Sequence, residues 1–383
     1  AKTPAYPNTV VQLSIGDFRY ENIQLLGVST HLEKQNEHWL LSAMNVDMDG
    51  VLRLPNAADE PYQLVFGNLN LDRLQRDTPA PSESTILMAR DSQAGVAALQ
   101  PGGLPDFDIS VSNLVLKAKQ WGGWSFKVRN SPGKTSIEDI RGRLEQLQIN
   151  GQMDWLPDMP SRSEMYLTLQ AQDLGQSLAS AGFPRALETE AFSADLQMGW
   201  TGAPWQYALE QVDGSAQFLA EKGRLIEAGQ ATGFLRVFGI LNMNALGRRM
   251  RLDFKDLFEK GVSFDKMSGD YRIKKGVAQT KTPFVMRGPS VDMTLAGELD
   301  LVAETVDKQI AVTLPVTDNI PLAAFLLGAP QVAGAAFLLD KLVGDQLKKE
   351  LATVRYTMRG DWSDPQVTLL QAQPSEAVPV EQR

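Results

Sequence analysis

The chain of 383 residues contains no cysteine. That excludes disulfides, thiolate nucleophiles and cysteine-ligated zinc, and is compatible with a cytosolic or a periplasmic protein. Histidine is almost as scarce. Only His31 and His38 occur, seven residues apart with Glu33 and Glu37 nearby, which leaves little for imidazole catalysis or metal ligation. In a strand–turn–strand setting the two read as solvated loop residues, and no metal ligand is assigned. Basic residues are outnumbered, 37 Lys and Arg against 46 Asp and Glu, for a net charge of −9. A nucleic-acid binder needs a basic face for the phosphates, so that class is set aside. The N-terminus AKTPAYPNTV lacks a basic stretch leading into an apolar run. It is expected to be neither a signal peptide nor an anchor, as in a mature product or an excised fragment.

Catalytic motifs are missing as well. No G-x-S-x-G, H-E-x-x-H or G-x-G-x-x-G occurs. Gly133-Lys134-Thr135 resembles the end of a phosphate-binding loop, but Val128 stands where its first glycine belongs, and Pro132 points to a simple turn. Asp253, Asp256, Glu259 and Asp265 form an acidic run interleaved with Phe254, Leu257, Phe258 and Phe264. That spacing suits an amphipathic helix and its exit better than a pair of catalytic carboxylates. An enzyme is not expected, and neither a catalytic residue nor a cofactor is assigned.

What the chain does have is period-two alternation. Val11, Leu13 and Ile15 alternate with Gln12 and Ser14, and Phe192, Ala194, Leu196, Met198 and Trp200 with Ser193, Asp195, Gln197 and Gly199. The same pattern surrounds Leu147–Trp155, Met165–Leu169, Met267–Ile273 and Val354–Trp362. It is cleanest for Val291, Met293, Leu295, Leu299 and Leu301, followed after a turn by Ile310, Val312 and Leu314. Strands of this kind bury one face and wet the other, which predicts a mainly β protein with antiparallel sheet. Turns are expected at Met48-Asp49-Gly50, Asn150-Gly151, Val212-Asp213-Gly214 and Lys275-Gly276. A unit of strand, terminal Trp and Gly/Asp/Pro turn recurs at Trp155, Trp200 and Trp362, as in a sheet that grows by adding hairpins.

Three stretches break the pattern. Residues 76–105 are rich in Pro, Ser, Gly and Ala and read as a linker with a short helix. In 233–250, Phe234, Val237, Phe238, Leu241 and Ala245 recur at helical spacing before Arg248, Arg249 and Arg251. Those arginines either complement the helix macrodipole or contact a lipid phosphate. The third runs from Ile320 to Leu339 without a charge, long enough for an unbroken helix to span a bilayer core of ~30 Å. Pro330 breaks it, so two helices are expected, 320–328 and 331–351. The second is amphipathic, with Leu338, Leu342 and Leu347 on one side and Asp340, Lys341 and Lys348 on the other. Together they form either a plug on the β-structure or an element that touches lipid.

From Leu104 onward a series of short motifs falls in a distinctive order. It includes Leu104-Pro-Asp-Phe-Asp108, Trp121-Gly-Gly-Trp-Ser-Phe126, Gly151-Gln-Met-Asp-Trp155, Lys222-Gly-Arg-Leu-Ile-Glu227 and Arg236-Val-Phe-Gly-Ile-Leu-Asn242. In these the chain resembles the C-terminal part of the YhdP branch of the AsmA-like family of Gram-negative envelope proteins. The resemblance implies a bridge between two membranes: an inner-membrane anchor absent from this chain, a β-groove crossing the periplasm, and a C-terminal end near the outer membrane. It also implies phospholipid acyl chains as cargo, and the outer membrane or an outer-membrane protein as partner. The fold expected is an extended, curled antiparallel sheet forming a trough with an apolar interior, plus a few short helices. Its parts would be strands at 1–75, the linker 76–105, a middle groove at 106–230, an AsmA-like C-terminal segment at 231–370 and a disordered tail at 371–383. Lipid is expected on Met293, Leu295, Leu299, Ile310 and Val312 in the groove. At the membrane end it is expected on Leu322, Phe325, Leu326, Phe337 and Leu338, with Arg248, Arg249 and Arg251 as candidate phosphate contacts. The alternative function is a non-transporting periplasmic scaffold or assembly factor for outer-membrane biogenesis.

Overall fold

The computed structural model describes residues 10–20, 23–35, 38–57, 59–74, 100–226, 261–315, 351–362 and 364–374. Among these the protein is mainly antiparallel β, with nineteen strands, two short α-helices and two single-turn 3-10 helices. The chain divides into two compact units. The first is residues 1–168 with 180–182 and 199–207; the second is 169–179, 183–198 and 208–383.

The first unit is a ladder of β1 (Val10–Tyr20), β2 (Ile23–Gln35), β3 (His38–Met44), β4 (Met48–Leu54) and β5 (Tyr62–Asn70), continued by β6 (Phe107–Leu116), β7 (Lys119–Gln120), β8 (Gly123–Ser131), β9 (Lys134–Leu144) and β10 (Leu147–Leu156). Successive strands pair antiparallel, and β6 carries both the short β7 and β8 on one side. The exception is β5 with β6, which run parallel. A parallel pair needs a connection that returns to the starting end, and the Pro/Ser/Gly/Ala-rich stretch falls in it. Helix α1 (Leu71–Leu74) opens that connection. The Asp72 carboxylate accepts the backbone N–H groups of Lys117 and Ala118, both at 2.5 Å, in the β6–β7 turn. Those two amides hold the Asp72 carboxyl below its usual range.

In the second unit β13 (Asp213–Leu225), β14 (Val262–Lys274), β15 (Val277–Arg287), β16 (Asp292–Asp300), β17 (Thr305–Pro315), β18 (Leu351–Asp361) and β19 (Gln366–Pro374) pair antiparallel in chain order. Helix α2 (Leu174–Ser180) belongs here, its N-terminus capped by Asp173 Oδ1, which accepts the Gln176 N–H at 2.9 Å. Strands β11 (Arg162–Ala171) and β12 (Leu187–Thr201) are divided between the units.

Three of the four expected turns fall on strands, Asp213-Gly214 opening β13. Met48-Asp49-Gly50 starts β4, and the turn before it is made by Asn45, whose Oδ1 accepts the N–H of Asp47 at 3.0 Å and of Met48 at 2.8 Å. Asn150-Gly151 lies inside β10 beside a register shift. His31 and His38 likewise sit on β2 and β3 rather than in a loop, with His31 Nε2 3.3 Å from Glu33. Lys275-Gly276 is a two-residue hairpin, Lys274 pairing with Val277 and both turn residues at positive φ. Pro132-Gly133 is one too, Ser131 pairing with Lys134. No helix among the described residues is long and apolar enough to cross a membrane. The expected helices at 233–250 and 320–351 lie outside the described residues.

Glycine was misleading as a turn signal because several strand glycines serve to admit a ring. Gly50 pairs with Phe66, Gly142 with Trp124, Gly223 with Phe264 and Gly269 with Phe218. A methyl at each would stand only 2.5 to 2.8 Å from the opposing ring. Laying an aromatic over a strand glycine pins the register of the pair. Gly223 is the tightest, because its methyl would also strike the Glu188 carbonyl oxygen, which belongs to the backbone. Gly223→Ala should therefore cost about 1–3 kcal/mol, as overpacking does. Gly16→Ala, with open space around it on β1, should leave the unfolding midpoint within about a degree. Thermal unfolding followed by circular dichroism compares the two.

Candidate functional site

The registers place the apolar side chains of the first unit on one face. Cross-strand partners share a face, so the pairings can be followed from strand to strand. Val11 pairs with Leu32, Leu32 with Leu41, Leu41 with Leu52, Leu52 with Leu64, and Leu64 with Ile109. This row crosses six strands without a polar residue. Beside it Trp39 pairs with Leu54, and Tyr62 with Phe107 and Phe107 with Val128. The opposite face, one residue along each strand, reads Gln12, His31, Ser42, Val51, Val65 and Ser110. It carries ion pairs such as Arg129–Asp108 and Lys127–Asp139.

The apolar face is not sealed. Leu13 is 57% exposed and Val11 38%. Leu32, Leu41, Leu52, Leu64, Ile109 and Phe126 are half-buried, Val28, Val111 and Val128 on the same face are buried, and at β9 and β10 so are Ile140, Leu144, Leu147 and Ile149. Among the described residues this unit has no helix longer than one turn to lay over it. Half-burial along a whole row is what a twisted sheet produces when side chains on its hollow side shield one another. Such a row takes apolar matter out of water.

In the second unit the same alternation is closed to solvent. Met293, Leu295, Leu299, Ile310 and Val312 fall together: Met293 pairs with Val312, Leu295 with Ile310, and Leu299 with Val306. All are buried, Leu299 completely. Phe264, Met267, Tyr271, Phe284, Met286 and Met358 are buried with them. Phe218 links this set through Phe284, ring centres 6.1 Å apart, to Phe192 at 6.4 Å. Leu322, Phe325, Leu326, Phe337, Leu338, Arg248, Arg249 and Arg251 lie outside the described residues. The three recurring tryptophans are buried anchors: Trp155 meets Trp205 edge-on, and Trp200 donates its indole N–H to the Ala203 carbonyl at 3.1 Å.

One residue on the closed face was missed. Lys308 lies between Val306 and Ile310 in parity as well as in sequence, and its side chain is 1% exposed. Its position two before Ile310 was signal enough, because period two puts both on the same face. Among the described residues its ammonium has no hydrogen-bond partner, and it stands 5.4 Å from the centre of the Tyr271 ring. Burial pushes the lysine down to about 8, and pushes Tyr271 above its usual range and Tyr356 up to about 12.

The buried lysine makes stability depend on pH. Below pH 8 it is charged in the folded and the unfolded chain, and its burial cost is complete. Between about 8 and 10.5 the folded chain sheds the proton while the unfolded chain keeps it, so stability rises with pH in that window. The unfolding midpoint of the wild type should gain on that of Lys308→Met between pH 7.5 and 9.5, below the tyrosine titrations. A constant difference between the two proteins would contradict the burial of a charged lysine.

Comparison with known proteins gives one family and one curated relative. The family described as YhdP protein matches residues 1–367. The relative is the intermembrane phospholipid transporter YhdP of Escherichia coli (strain K12), 28% identical over 215 residues, a match that covers 56% of this chain and 17% of the relative. No solved structure matches. With the family match running through nearly all of its length, the chain belongs to the YhdP family.

Proposed function

We propose that the chain is the C-terminal, outer-membrane-proximal segment of a periplasm-spanning bridge that carries phospholipid between inner and outer membranes. Acyl chains lie along its hydrophobic β-face while headgroups stay on the wet side. The observation that carries this is the unsealed row from Val11 through Leu32, Leu41, Leu52 and Leu64 to Ile109. Each methylene withdrawn from water contributes ~0.8 kcal/mol. A tail along a few rungs is thus held without any polar recognition and can still slide. The curated relative, a phospholipid transporter, supports the same cargo.

In this proposal the chain works in the periplasm, and a segment outside it anchors the full-length protein in the inner membrane. Met293, Leu295, Leu299, Ile310 and Val312 form a second acyl-binding stretch. Leu322, Phe325, Leu326, Phe337 and Leu338 meet the outer membrane or a protein in it, and Arg248, Arg249 and Arg251 meet lipid phosphates. No chemistry is catalysed.

The competing reading, a non-transporting scaffold or assembly factor, is favoured by one observation: the apolar face of the second unit is buried almost completely. Quantifying lipid that co-purifies with the chain separates the two. Leu41→Glu places a carboxylate in the middle of the open row and should reduce bound phospholipid at least about fivefold, since a buried unpaired charge costs several kcal/mol. Ser42→Glu, on the opposite face, should keep the wild-type amount. If the wild type carries no phospholipid, or if both variants carry as much as it does, transport along this face is wrong.

A further inference from the structure

Beyond the open row, large apolar side chains stand in water on two turns of the first unit. Met159, between β10 and β11, is 99% exposed. Trp205 and Tyr207, 47% and 51% exposed, lie on and just after the 3-10 helix Pro204–Gln206 that follows β12. The two turns are stapled together. Gly202 donates its N–H to the Ser161 carbonyl at 2.6 Å, and Ser163 Oγ donates to the Gly202 carbonyl at 2.9 Å. Each exposed ring rests on a buried tryptophan: Trp205 meets Trp155 with ring centres 5.2 Å apart, and Tyr207 meets Trp200 at 5.4 Å and 90°. Rings supported from below in this way are held outward, and Pro157 and Pro160 on either side of Met159 restrict the backbone that carries it. Exposed apolar residues scattered singly are ordinary, but three on one stapled tip mark a contact.

Area and charge decide what fits there. The three side chains together offer roughly 400 Å², about half of what each partner covers in a stable protein–protein complex. Interfacial binding to lipid has no such threshold, since its strength scales with the apolar area inserted, and a small tip gives a reversible contact. Trp and Tyr also collect at the boundary between headgroups and acyl chains, where one part of the side chain is apolar and the other stays wet. Residues 196–209 carry no charge, and 155–161 only Asp158. Its carboxylate lies 3.3 Å from Arg162, which pairs with Glu164 as well at 2.7 Å, so the tip offers no cation to attract anionic headgroups. We propose that Met159, Trp205 and Tyr207 form a docking tip for the surface of a phospholipid bilayer, entering at headgroup level without electrostatic attraction. The transport reading assigns no membrane contact to these turns, and the tip stands or falls without it.

Because the chain has no cysteine, Met159→Cys gives the full chain a single attachment point for an environment-sensitive dye. Val46→Cys, at an 88% exposed position in the turn between β3 and β4, gives the control. With phosphatidylcholine vesicles the dye at 159 should brighten at least about twofold while the dye at 46 stays unchanged. Replacing about a third of the lipid by phosphatidylglycerol should alter the apparent affinity by less than about twofold. Trp205→Ala in the chain labelled at 159 should weaken vesicle binding about fivefold or more. A silent dye at 159, an equal response at 46, an undiminished affinity in Trp205→Ala or a need for anionic lipid overturns the proposal. So does brightening that grows with chain concentration before vesicles are added, which would make a second copy the occupant. The comparison of 159 with 46 holds even where Trp205→Ala does not fold. Loss of the vesicle response leaves co-purified lipid, and with it the transport reading, untouched, and absence of co-purified lipid leaves the tip untouched.

Discussion

Everything in this structure depends on register. In a strand the side chains alternate with a period of two, so a one-residue slip between neighbours would exchange every Leu of a row for the Gln, Ser or Arg beside it. The row from Val11 to Ile109 exists because five successive pairings keep the same parity, through one parallel junction and past the β4–β5 bulge at Gly67. Hydrophobic patterning alone does not pin parity so firmly where a face is only half-buried. The ring-over-glycine pairs supply a shape term as well: Phe66 fits where Gly50 leaves room, and one residue either way it would meet Asp49 or Val51. Two such pairs in each unit give the ladders a mechanical index that does not rely on burial.

The two units apply the same alternation to different ends. In the second, Phe264, Phe284, Met286, Leu299 and Ile310 are buried as in an ordinary hydrophobic core. In the first, the row from Val11 to Ile109 on the equivalent face stays half open, though Val28, Val111 and Val128 beside it are buried, and the face closes at β9 and β10. A soluble protein seldom leaves so long an apolar strip accessible unless something binds it. The polar face compensates with exposed ion pairs, each contributing little to stability but keeping that side wet.

Much of the fold could be read from the residues. Alternation at Leu147–Trp155, Met267–Ile273 and Ile310–Leu314 became β10, β14 and β17, and Lys275-Gly276 became a hairpin because only a two-residue turn with positive φ fits between strands so patterned. Failures came where one residue type serves two purposes. Gly50 and Gly151 carry the signature of turn glycines, yet one accommodates a ring and the other a neighbouring backbone, Tyr166 O, neither of which leaves a local trace. Pairing of β5 with β6 was not legible either, since nothing in 71–106 states that its ends lie side by side. For the site, parity was enough to group Met293, Leu295, Leu299, Ile310 and Val312, but whether a face is open or sealed depends on what packs above it. Lys308 departs from the rule that charge lies on the wet face, and only its spacing from Ile310 puts it on the closed one.

Scanning a photo-crosslinking residue along β4 and β5, in cells, tests the central claim most directly. Lipid adducts should appear at Leu52, Leu54, Tyr62 and Leu64 and be absent at Val51, Arg53, Gln63 and Val65, reproducing the period of the strand. Adducts on both faces alike, or protein partners and no lipid on the apolar one, would contradict it.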